Sequence, residues 1–491
     1  MIPLYRRSSV YRLDRQAMTL DAQPPRQLMA RAAQAAWNSL TERWPEAMDL
    51  LVLAGPGNNG GDAWALALLA KRGGLRPRVL YIGDLQRQSD EARSFREACE
   101  RQGIPAERFA GALGRADLIV DGLLGIGLDK PLRGELLTLI EAVNGHPAPV
   151  LALDLPSGLH AETGRPLPVA IRAERTVTFI ARKTGQLLAD GPDHCGQLLF
   201  DDLGLSGAAR RSEPAAMSLL EASDLAWPIP RPRNSHKYDY GSILVVGGDR
   251  DLAGAALMCG LAALEAGAGL VRLCLHPEAQ GSQLALAPEL MCCNWDELDE
   301  HLQRASLLVV GPGLGRGAKA MALLRRLQSV ELPMLIDADA LQAGFLEDLA
   351  APERLLTPHA GEAARLLGQG SEAVANDRLH ALGELVEGYH AGVLLKGQDT
   401  LLAAPGVMPL LCNRGHPGMA TAGMGDVLAG MIAGLWAQGM EPLQAAATAA
   451  YWQGETARRL AEREWSASLT ATRLIGMLAQ AAQGLQEASR G

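Results

Sequence analysis

Residues 49–72, DLLVLAGPGNNGGDAWALALLAKR, decide the fold of the first half of the chain. An apolar run that ends in a glycine-rich turn and continues as a helix is typical of an open parallel sheet. The glycines of GPGNNGGDA (55–63) let the backbone approach a ligand closely, and the helix N-terminus offers N–H groups to an anion. The turn therefore predicts a dinucleotide or phosphate site, although it matches neither GxGxxG nor a Walker A sequence.

The same alternation of strand and helix continues outward from this stretch. Apolar runs at 76–84, 116–125 and 149–158 alternate with helical segments at 89–102 and 134–144. This pattern predicts a Rossmann-like sheet with helices on both faces, a three-layer α/β domain. It breaks between 201 and 232, a stretch with several prolines and little strand character, so we predict a domain boundary near 206–222.

A second α/β pattern follows the break, beginning with YGSILVVGGD (240–249). Further strand patterns lie at 270–276, 306–315, 333–341, 354–356 and 392–404. Three helical segments follow from about residue 420. We therefore predict a second α/β domain with a helical C-terminal end.

Length and charge limit the function classes. The chain has 491 residues, of which 48% are hydrophobic and 21% charged, so it is long enough for two large cores and is expected to fold. The net charge is −9, from 46 basic and 55 acidic residues. Residues 1–216 carry 26 basic and 25 acidic side chains, which leaves 20 and 30 for the remainder. We expect no nucleic-acid partner, and a nucleotide bound in the second half has to be held by backbone N–H groups and a few cations.

The cysteines and apolar runs indicate the cellular setting. Seven scattered cysteines without CxxC spacing argue against a disulfide framework or a zinc site. The N-terminus lacks the apolar stretch of a signal peptide. The uncharged run at 427–440 has 14 residues, too few to span a bilayer, and predicts a buried helix. We expect a cytoplasmic protein with no membrane partner.

Oxygen-bearing side chains follow the strands of the first half. Asp121 lies in IVDGLLGIG, and Asp154 and Ser157 lie in ALDLPSGL. Because the carboxyl ends of parallel strands border one crevice, these side chains are expected to meet there with Asn58 and Asn59. Such oxygen donors suit a hard cation better than a transition metal.

Two carboxylates of this region are candidates for acid and base chemistry, Asp62 and Asp154. The alternative for Asp62 is a plain structural role as the N-cap of the following helix. Ordinary turn or capping chemistry is likewise an alternative for Asp121 and Asp154.

GMATAGMGDVLAG (418–430) carries the most specific chemistry of the second half. Its G-x-G-D precedes an apolar helix, so glycine N–H groups can hold a phosphate while Asp426 deprotonates a neighbouring hydroxyl. Asp426 can also act as a helix cap. Further turns follow strands at GPGLG (311–315), TPHAGE (357–362) and KGQDT (396–400). The chain has six lysines and forty arginines, so Lys237 and Lys396 are candidates for positions that require an ammonium group. His359 follows Pro358 in a turn, where a histidine is more often structural than functional.

GPGNNGGD, DGLLGIG and LDLPSGLHAETG resemble the epimerase half of the bifunctional NAD(P)H-hydrate repair enzymes. The resemblance implies a Rossmann-like domain at 1–213 that interconverts the R and S hydrates of NADH and NADPH and binds K⁺ through Asn59, Asp121 and Ser157. The residues it implies at the hydrate are Asn58, Asn59, Gly60, Gly61, Asp62, Gly125, Ile126, Gly127, Leu128, Asp129, Lys130, Pro131 and Asp154. Ala63 departs from the family, which commonly has glycine there.

KYDYG (237–241), GPGLG, IDADAL (336–341), LTPHAGE (356–362) and the G-x-G-D segment resemble the dehydratase half of the same family. The resemblance implies a ribokinase-like domain at 222–491 that uses ADP to dehydrate the S hydrate, and phosphoryl-transfer chemistry predicts Mg²⁺ with the nucleotide. It implies hydrate contacts by Ala255, Gly315, His359 and Asp426, and nucleotide contacts by Lys396, Gly397, Gln398, Asp399, Thr400 and Gly425. Asp399 departs from the usual K-G-x-G-T loop, and its carboxylate has to turn away from a bound phosphate.

The combined interpretation is a bifunctional enzyme, isomerase and lyase, with Asp426 as the base of dehydration and Asp154 and Asp62 as acid and base groups of epimerisation. Its partners are small molecules: the two hydrates and ADP. Two alternatives stay open on sequence. One is a ribokinase-like small-molecule kinase fused to a nucleotide-sensing Rossmann domain, and the other makes the first half a non-catalytic binding module. The sequence also leaves open whether the chain forms a homo-oligomer.

Overall fold

The chain divides into two compact units. They are described from a computed structural model, for residues 1–279, 287–463, 465 and 469–488. The N-terminal unit is Pro3–Met217, and the C-terminal unit is Ser218–Gly491 together with Met1–Ile2. The division falls within residues 206–222, and the limits of the two catalytic domains given above stay predictions.

The first part of the chain alternates strands and helices up to residue 211. Its elements are β1 (Ile2–Leu4), α1 (Arg7–Thr19), α2 (Pro25–Arg43), β2 (Asp49–Ala54), α3 (Asn58–Arg72), β3 (Arg76–Tyr81), α4 (Asp90–Arg101), β4 (Ala106–Arg108), β5 (Leu118–Gly122), α5 (Gly134–Asn144), β6 (Val150–Leu153), β7 (Arg175–Phe179), α6 (Gly191–Cys195), β8 (Gln197–Asp201) and α7 (Gly207–Arg211).

A seven-stranded parallel sheet organises the N-terminal unit, in the order β4-β3-β2-β5-β6-β7-β8. Successive β2 side chains point to opposite faces: Leu50 and Val52 join a core with α1 to α4, while Leu51 and Leu53 join a core with α5. The Rossmann-like three-layer prediction is confirmed. The strand order reverses between β2 and β5, and ligands bind at such switch points in open α/β sheets.

The C-terminal unit repeats the alternation and ends in three helices. Its elements are β9 (Met217–Leu219), β10 (Ser242–Val246), α8 (Ala253–Glu265), β11 (Leu270–Leu275), β12 (Met291–Asn294), α9 (Leu298–Leu302), β13 (Leu307–Val310), α10 (Ala318–Leu327), β14 (Met334–Ile336), α11 (Ala343–Leu346), β15 (Arg354–Leu356), α12 (Ala360–Leu367), α13 (Ser371–Asn376), α14 (Arg378–Tyr389), β16 (Gly392–Leu395), β17 (Thr400–Ala403), β18 (Leu410–Cys412), α15 (Met424–Trp436), α16 (Pro442–Arg463) and α17 (Ala471–Ala488).

Its sheet runs β9-β18-β17-β16-β15-β14-β13-β10-β11-β12. Within the run from β12 to β16 the strands are parallel to one another, whereas β17 is antiparallel to both β16 and β18. Helices α8, α15, α16 and α17 contribute to one large core against the sheet. The strand order reverses at β10, so this unit also has a switch point where β10 meets β13.

The apolar run at 427–440 belongs largely to α15, whose residues from Val427 to Trp436 are buried, so the buried-helix prediction is confirmed. Among the described residues, no helix combines the length and the hydropathy needed to cross a membrane. All seven cysteines are free thiols, of which six are buried and Cys292 is half-buried.

Candidate active sites

A cavity of about 650 Å³ opens at the switch point of the N-terminal unit. Ten of the residues implied at the hydrate line it: Asn58, Asn59, Asp62, Gly125, Ile126, Gly127, Leu128, Asp129, Lys130 and Asp154. Gly60 and Gly61 lie behind this wall in the first turn of α3, and Pro131 is exposed outside it. A side chain at Gly55, directly after β2, would overlap the carbonyl oxygen of Leu123. The turn and the 123–130 loop are therefore in direct backbone contact.

Asp154 forms the charged centre of this cavity with Lys183. The ammonium of Lys183 is fully buried, donates to Asp154 Oδ1, and also donates to Thr178 Oγ1 (2.8 Å) and to the Phe179 carbonyl (3.0 Å). The Asp154 backbone has a φ of +63°, a strained conformation for a residue other than glycine. A buried lysine charge is tolerated when it is paired and fully hydrogen-bonded, as the charge of Lys183 is here. Because Lys183 is held by these contacts, its ion pair fixes the position of the Asp154 carboxylate at the cavity wall.

Two further carboxyl groups share the cavity, Asp62 and Asp14. Burial raises the pKa of Asp62 well above its ordinary value, and the charges of Asp154 and Asp14 add to this effect. Burial, followed by Asp154, also raises the pKa of Asp14. Three carboxyl groups against one ammonium favour a protonated and an ionised carboxyl side by side, which provides both an acid and a base.

Asp62 does not cap a helix, because α3 begins at Asn58 with Gly57 in the capping position. That alternative from the sequence is therefore wrong.

Ala63, the departure from the family pattern, is fully buried against Gly122 of β5. A methyl group on Gly122 would overlap the Ala63 side chain, so the glycine accommodates the alanine.

The three predicted K⁺ ligands lie together beneath the 123–130 loop. Ser157 donates its hydroxyl to Asp121 Oδ1 (2.6 Å) and its backbone N–H to Asp121 Oδ2 (2.8 Å). Asn59 donates to the Leu124 carbonyl (2.8 Å), and its buried Oδ1 has no hydrogen-bond partner within the described residues. Burial raises the pKa of Asp121 to about 6 in spite of the hydrogen bonds from Ser157. An unpartnered amide oxygen beside a buried carboxylate is a donor set that fits a hard monovalent cation.

A second cavity, of about 350 Å³, lies in the C-terminal unit. Five of the residues implied at the nucleotide line it: Lys396, Gly397, Gln398, Thr400 and Gly425. Apolar side chains of Met419, Met424 and Leu428 and the polar groups of His416 and Gln453 complete much of the wall. The loop between β16 and β17 and the start of α15 therefore meet at one site.

Lys396 is held by two buried carboxylates. Its ammonium lies 2.7 Å from Asp337 Oδ1 and 3.8 Å from Glu362 Oε2. Although burial disfavours the charged form, Asp337 and Glu362 raise the pKa of Lys396. A Cβ on Gly425 would lie 3.4 Å from Lys396 Nζ. The fixed positive charge therefore sits at the N-terminus of α15, where anions bind.

Asp426 is the third residue of α15, and Gly423 is the N-cap, so the capping alternative for Asp426 is wrong. Burial, with the negative charge of Asp337 added, raises the pKa of Asp426 to about 7, while Lys396 opposes the rise. A carboxylate with this pKa can accept and release a proton near neutral pH, which is what a general base requires.

His359 caps α12, as a turn residue is expected to. Its Nδ1 accepts from the N–H of Gly361 (3.0 Å), and its own backbone N–H donates to Glu362 Oε2 (2.8 Å). Burial would raise the pKa of Glu362, but the His359 hydrogen bonds and Lys396 outweigh it, so that pKa is lowered. His359 and Lys396 also form an isolated bridge between parallel segments. Glu362 therefore links the histidine to the lysine.

Gly315 and Ala255, the remaining predicted hydrate contacts, lie near the switch point of the C-terminal unit. The Gly315 N–H donates to Asp339 Oδ2 (3.0 Å), and Asp339 is one of the charges that raise the pKa of Asp426. Ala255 packs against Gly313 in the GPGLG turn. A side chain at Gly311 would overlap the Asp337 carbonyl oxygen, so this turn lies against the strand end that carries Asp337.

Known proteins match along nearly the whole chain. A model described as NAD(P)H-hydrate dehydratase matches residues 243–480, and one described as YjeF-related protein N-terminus matches residues 25–185. A bifunctional NAD(P)H-hydrate repair enzyme of Coxiella burnetii is 38% identical over 97% of this chain and 98% of its own length. The Escherichia coli enzyme of the same description is 40% identical over 92% of this chain and 88% of its own. The chain belongs to the bifunctional NAD(P)H-hydrate repair enzyme family.

Solved structures agree with the fold of this hydrate-repair enzyme's C-terminal unit. A ribokinase-like superfamily protein from Enterococcus faecalis has a TM-score of 0.51 and 28% identity, covering 55% of this chain and 96% of its own. An ADP/ATP-dependent NAD(P)H-hydrate dehydratase from Bacillus subtilis, co-crystallised with ATP and Mg²⁺, has a TM-score of 0.50 and 25% identity, covering 55% and 99%. The ribokinase-like prediction is confirmed.

Three polar residues of the two sites in this hydrate-repair enzyme were missed by motif reasoning: Lys183, Asp14 and Arg378. Lys183 is one of the six lysines, and the argument applied to Lys237 and Lys396 would have included it. Lys237 itself is exposed beside Tyr238. Asp14 lies on α1, a helix outside every motif, and its sequence neighbourhood carries no signal for the site.

Proposed function

We propose that the C-terminal unit dehydrates the S hydrate of NADH or NADPH with ADP, and that the N-terminal unit converts the R hydrate into the S hydrate. Family membership supports both activities. The observation that carries the assignment of the chemistry is the meeting of Lys396 and Asp426 at the N-terminus of α15, beside a cavity that the 396–400 loop lines.

Dehydration has to remove a poor leaving group. The hydrate carries a hydroxyl on C6 of the nicotinamide ring and lacks one ring double bond. Transfer of the terminal phosphoryl group of ADP to this oxygen releases AMP and makes a phosphate ester. Loss of that phosphate from C6 and of a proton from C5 then restores the double bond, so that the products are NAD(P)H, AMP and inorganic phosphate.

In this scheme Asp426 accepts the hydroxyl proton as the oxygen attacks phosphorus. The N–H groups at the start of α15 and the Lys396 ammonium stabilise the negative charge on the transferring group. Mg²⁺ bound to the nucleotide supplies further charge neutralisation. Gly315, Ala255 and His359 are the proposed contacts to the hydrate.

Epimerisation at C6 needs a proton donor and a proton acceptor. C6 bears the hydroxyl and is bonded to the ring nitrogen, so one of these bonds can break with the help of a proton and form again on the other face. We assign the donor to Asp62, whose pKa is raised by burial. The acceptor is Asp154, held by Lys183 at the cavity wall.

We also propose K⁺ as the cation held by Asn59, Asp121 and Ser157. The unpartnered Oδ1 of Asn59 and the buried Asp121 carboxylate support this choice. The cation would neutralise Asp121 and fix the loop that starts at Leu123, and so the shape of the cavity.

All seven cysteines are free thiols, which supports the reducing cytoplasm as the setting that we propose.

The decisive experiment incubates the protein with both NADH hydrate epimers and follows NADH absorbance with ADP, with ATP or with neither. Full recovery of both epimers that depends on the nucleotide is expected. Asp426→Asn should abolish recovery and keep epimer exchange, which chromatography of the two hydrates measures. Asp154→Asn should stop recovery at the share of the S epimer.

Two exposed aspartates provide matched controls, Asp348→Asn in the C-terminal unit and Asp193→Asn in the N-terminal unit. Both should behave as the wild type. Consumption of ATP with accumulation of a stable phosphorylated alcohol would support a small-molecule kinase instead. Normal NADH recovery by Asp426→Asn would overturn the assignment of the base.

The cation site is tested by thermal unfolding of the wild type and of Asn59→Leu in KCl and in choline chloride of equal concentration. Potassium should raise the Tm of the wild type and leave that of the variant unchanged. Equal shifts in both proteins would place the cation elsewhere.

A further inference from the structure

The 396–400 loop has two faces, and only one of them belongs to the cavity. Lys396, Gly397, Gln398 and Thr400 line the cavity, whereas Asp399 does not. Asp399 is instead buried, with its Oδ1 3.1 Å from Nε of Arg378, the first residue of α14. The carboxylate therefore turns away from the phosphate side, which is the orientation that its position in a nucleotide loop requires.

Arg378 contacts the backbone of the loop as well as this carboxylate. Its Nη2 donates to the carbonyl oxygens of Leu395 (3.3 Å), Lys396 (3.3 Å) and Asp399 (3.0 Å). A Cβ on Gly397 would lie 2.5 Å from the same nitrogen. The loop backbone thus lies directly against the guanidinium of Arg378. Only 9% of this side chain is exposed.

We infer that Arg378 and Asp399 act together as positioning residues for the nucleotide. Rigid planar donors of arginine hold the carbonyl groups on the back of the loop, so the backbone of Gly397 and Gln398 presents a fixed surface to the phosphates. Asp399 neutralises a guanidinium that would otherwise be buried without a counter-charge, a state that is strongly unfavourable. The carboxylate at this glycine position of the family loop is thereby explained as the partner of Arg378.

The pair also affects Lys396. The backbone N–H of Lys396 donates to the Pro358 carbonyl (2.8 Å) and its carbonyl accepts from Arg378, so both sides of its peptide backbone are fixed. Because this main chain is fixed, the Lys396 side chain extends from a constant position. Its ammonium therefore lies beside Asp337, Glu362 and the start of α15. Loss of the pair is expected to loosen ground-state binding of the nucleotide more than the chemistry of the bound complex.

The inference rests on the proposed use of ADP and is tested with Arg378→Lys, which keeps the charge and loses the planar fork, and with Asp399→Asn, which keeps the size and loses the charge. Each should raise the KM for ADP by about tenfold or more, the factor that corresponds to about 1.4 kcal/mol, with kcat at saturating ADP within about threefold of the wild type. The same variants should lose most of the rise in Tm that ADP with Mg²⁺ causes in the wild type.

The double variant Arg378→Lys with Asp399→Asn should raise the KM for ADP by less than the product of the two single effects, because the two side chains act as one unit. Arg326→Lys is the control, because Arg326 also pairs a carboxylate, Asp299 at 2.8 Å, and a carbonyl, Trp295 at 3.4 Å, in the same unit. It should leave the KM for ADP unchanged.

A KM within about twofold of the wild type in folded Arg378→Lys and Asp399→Asn would overturn the inference, as would a fall in kcat with an unchanged KM. Failure of the wild type to recover NADH would overturn the proposed function instead. In that case the ADP-induced rise in Tm still tests the pair by itself.

Discussion

Asp426 concentrates the chemistry of the C-terminal unit in one side chain. Burial and the carboxylate of Asp337 disfavour its ionised form, while Lys396 and the start of α15 favour it. The balance leaves its pKa at about 7, so both protonation states are accessible near neutral pH. The sequence placed this aspartate after the glycines, but the carboxylates that raise its pKa, Asp337 and Asp339, lie in the turn that follows β14, about ninety residues earlier.

A pH profile tests the role of Asp426 as a base. Only the ionised form can accept the hydroxyl proton, so kcat/KM for dehydration should fall about tenfold for each pH unit below about 7 and level off above it. Far-UV circular dichroism in the same buffers is the control for protein integrity. A dehydration rate that stays constant from about pH 5 to about pH 8 would contradict the assignment.

Stability should change in the opposite sense. The folded-state pKa of Asp426 lies above its unfolded value of 3.8, so the folded protein binds the proton more tightly and loses stability as the pH rises from 3.8 through about 7. Asp426→Asn lacks this loss. Its Tm should exceed that of the wild type above neutral pH and approach it near pH 4. Asp348→Asn is the control, and a variant less stable than the wild type above neutral pH would be the contrary result.

At the scale of elements, the strands and turns with strong sequence patterns were predicted well. The runs for β2, β5, β10 and β13 contain mostly apolar residues because both faces of a parallel sheet are buried. Helices α1 and α2 and strands β7 and β8 were not assigned, because their polar and apolar residues follow no motif. Asp14 and Lys183 lie in or beside those elements, so two of the seven charged side chains that line the N-terminal cavity come from segments without a sequence signal.

The packing of α3 on β5 has a direct test. A methyl group on Gly122 would overlap the Ala63 side chain, and it would also lie 3.0 Å from the Asn59 carbonyl oxygen. Gly122→Ala should therefore destabilise the protein by about 1–3 kcal/mol in denaturant unfolding, as overpacked sites do. Adding Ala63→Gly should recover part of the loss. Gly145→Ala, at a helix end with φ of −89° and no close contact, should change little, and equal effects of the two alanines would refute the packing argument.

At the scale of the whole molecule, each unit contains its own cavity and its own titratable groups. The cavity-lining residues of the first all lie before Leu203 or at it, and those of the second all lie from Lys396 onward. Sequence motifs predicted this separation because each set of turns follows the strands of one sheet. The partner of Asp399 was not predicted, since Arg378 contacts the loop through tertiary structure and belongs to no motif.

Two variants that each lack one of the two activities should therefore complement each other. Asp426→Asn retains epimerisation and Asp154→Asn retains dehydration, and the hydrate is a small molecule that diffuses between them. A mixture of the two variants with ADP should recover NADH from both epimers, whereas each variant alone should not, as absorbance measures. Recovery that stops at the share of the S epimer in the mixture would mean that both sites have to be on one chain.

Gly55 and Gly311 occupy equivalent places in two sheets that share no motif, each directly after a strand and against a neighbouring carbonyl oxygen. Every amino acid that a single base change can put in place of glycine carries a Cβ, so each such change at these codons forces two backbone segments apart. Neither position can drift by single steps, however freely the surrounding turns vary. In a selection for hydrate repair, we expect substitutions at Gly55 and Gly311 to be lost earlier than substitutions at many residues that contact the substrate.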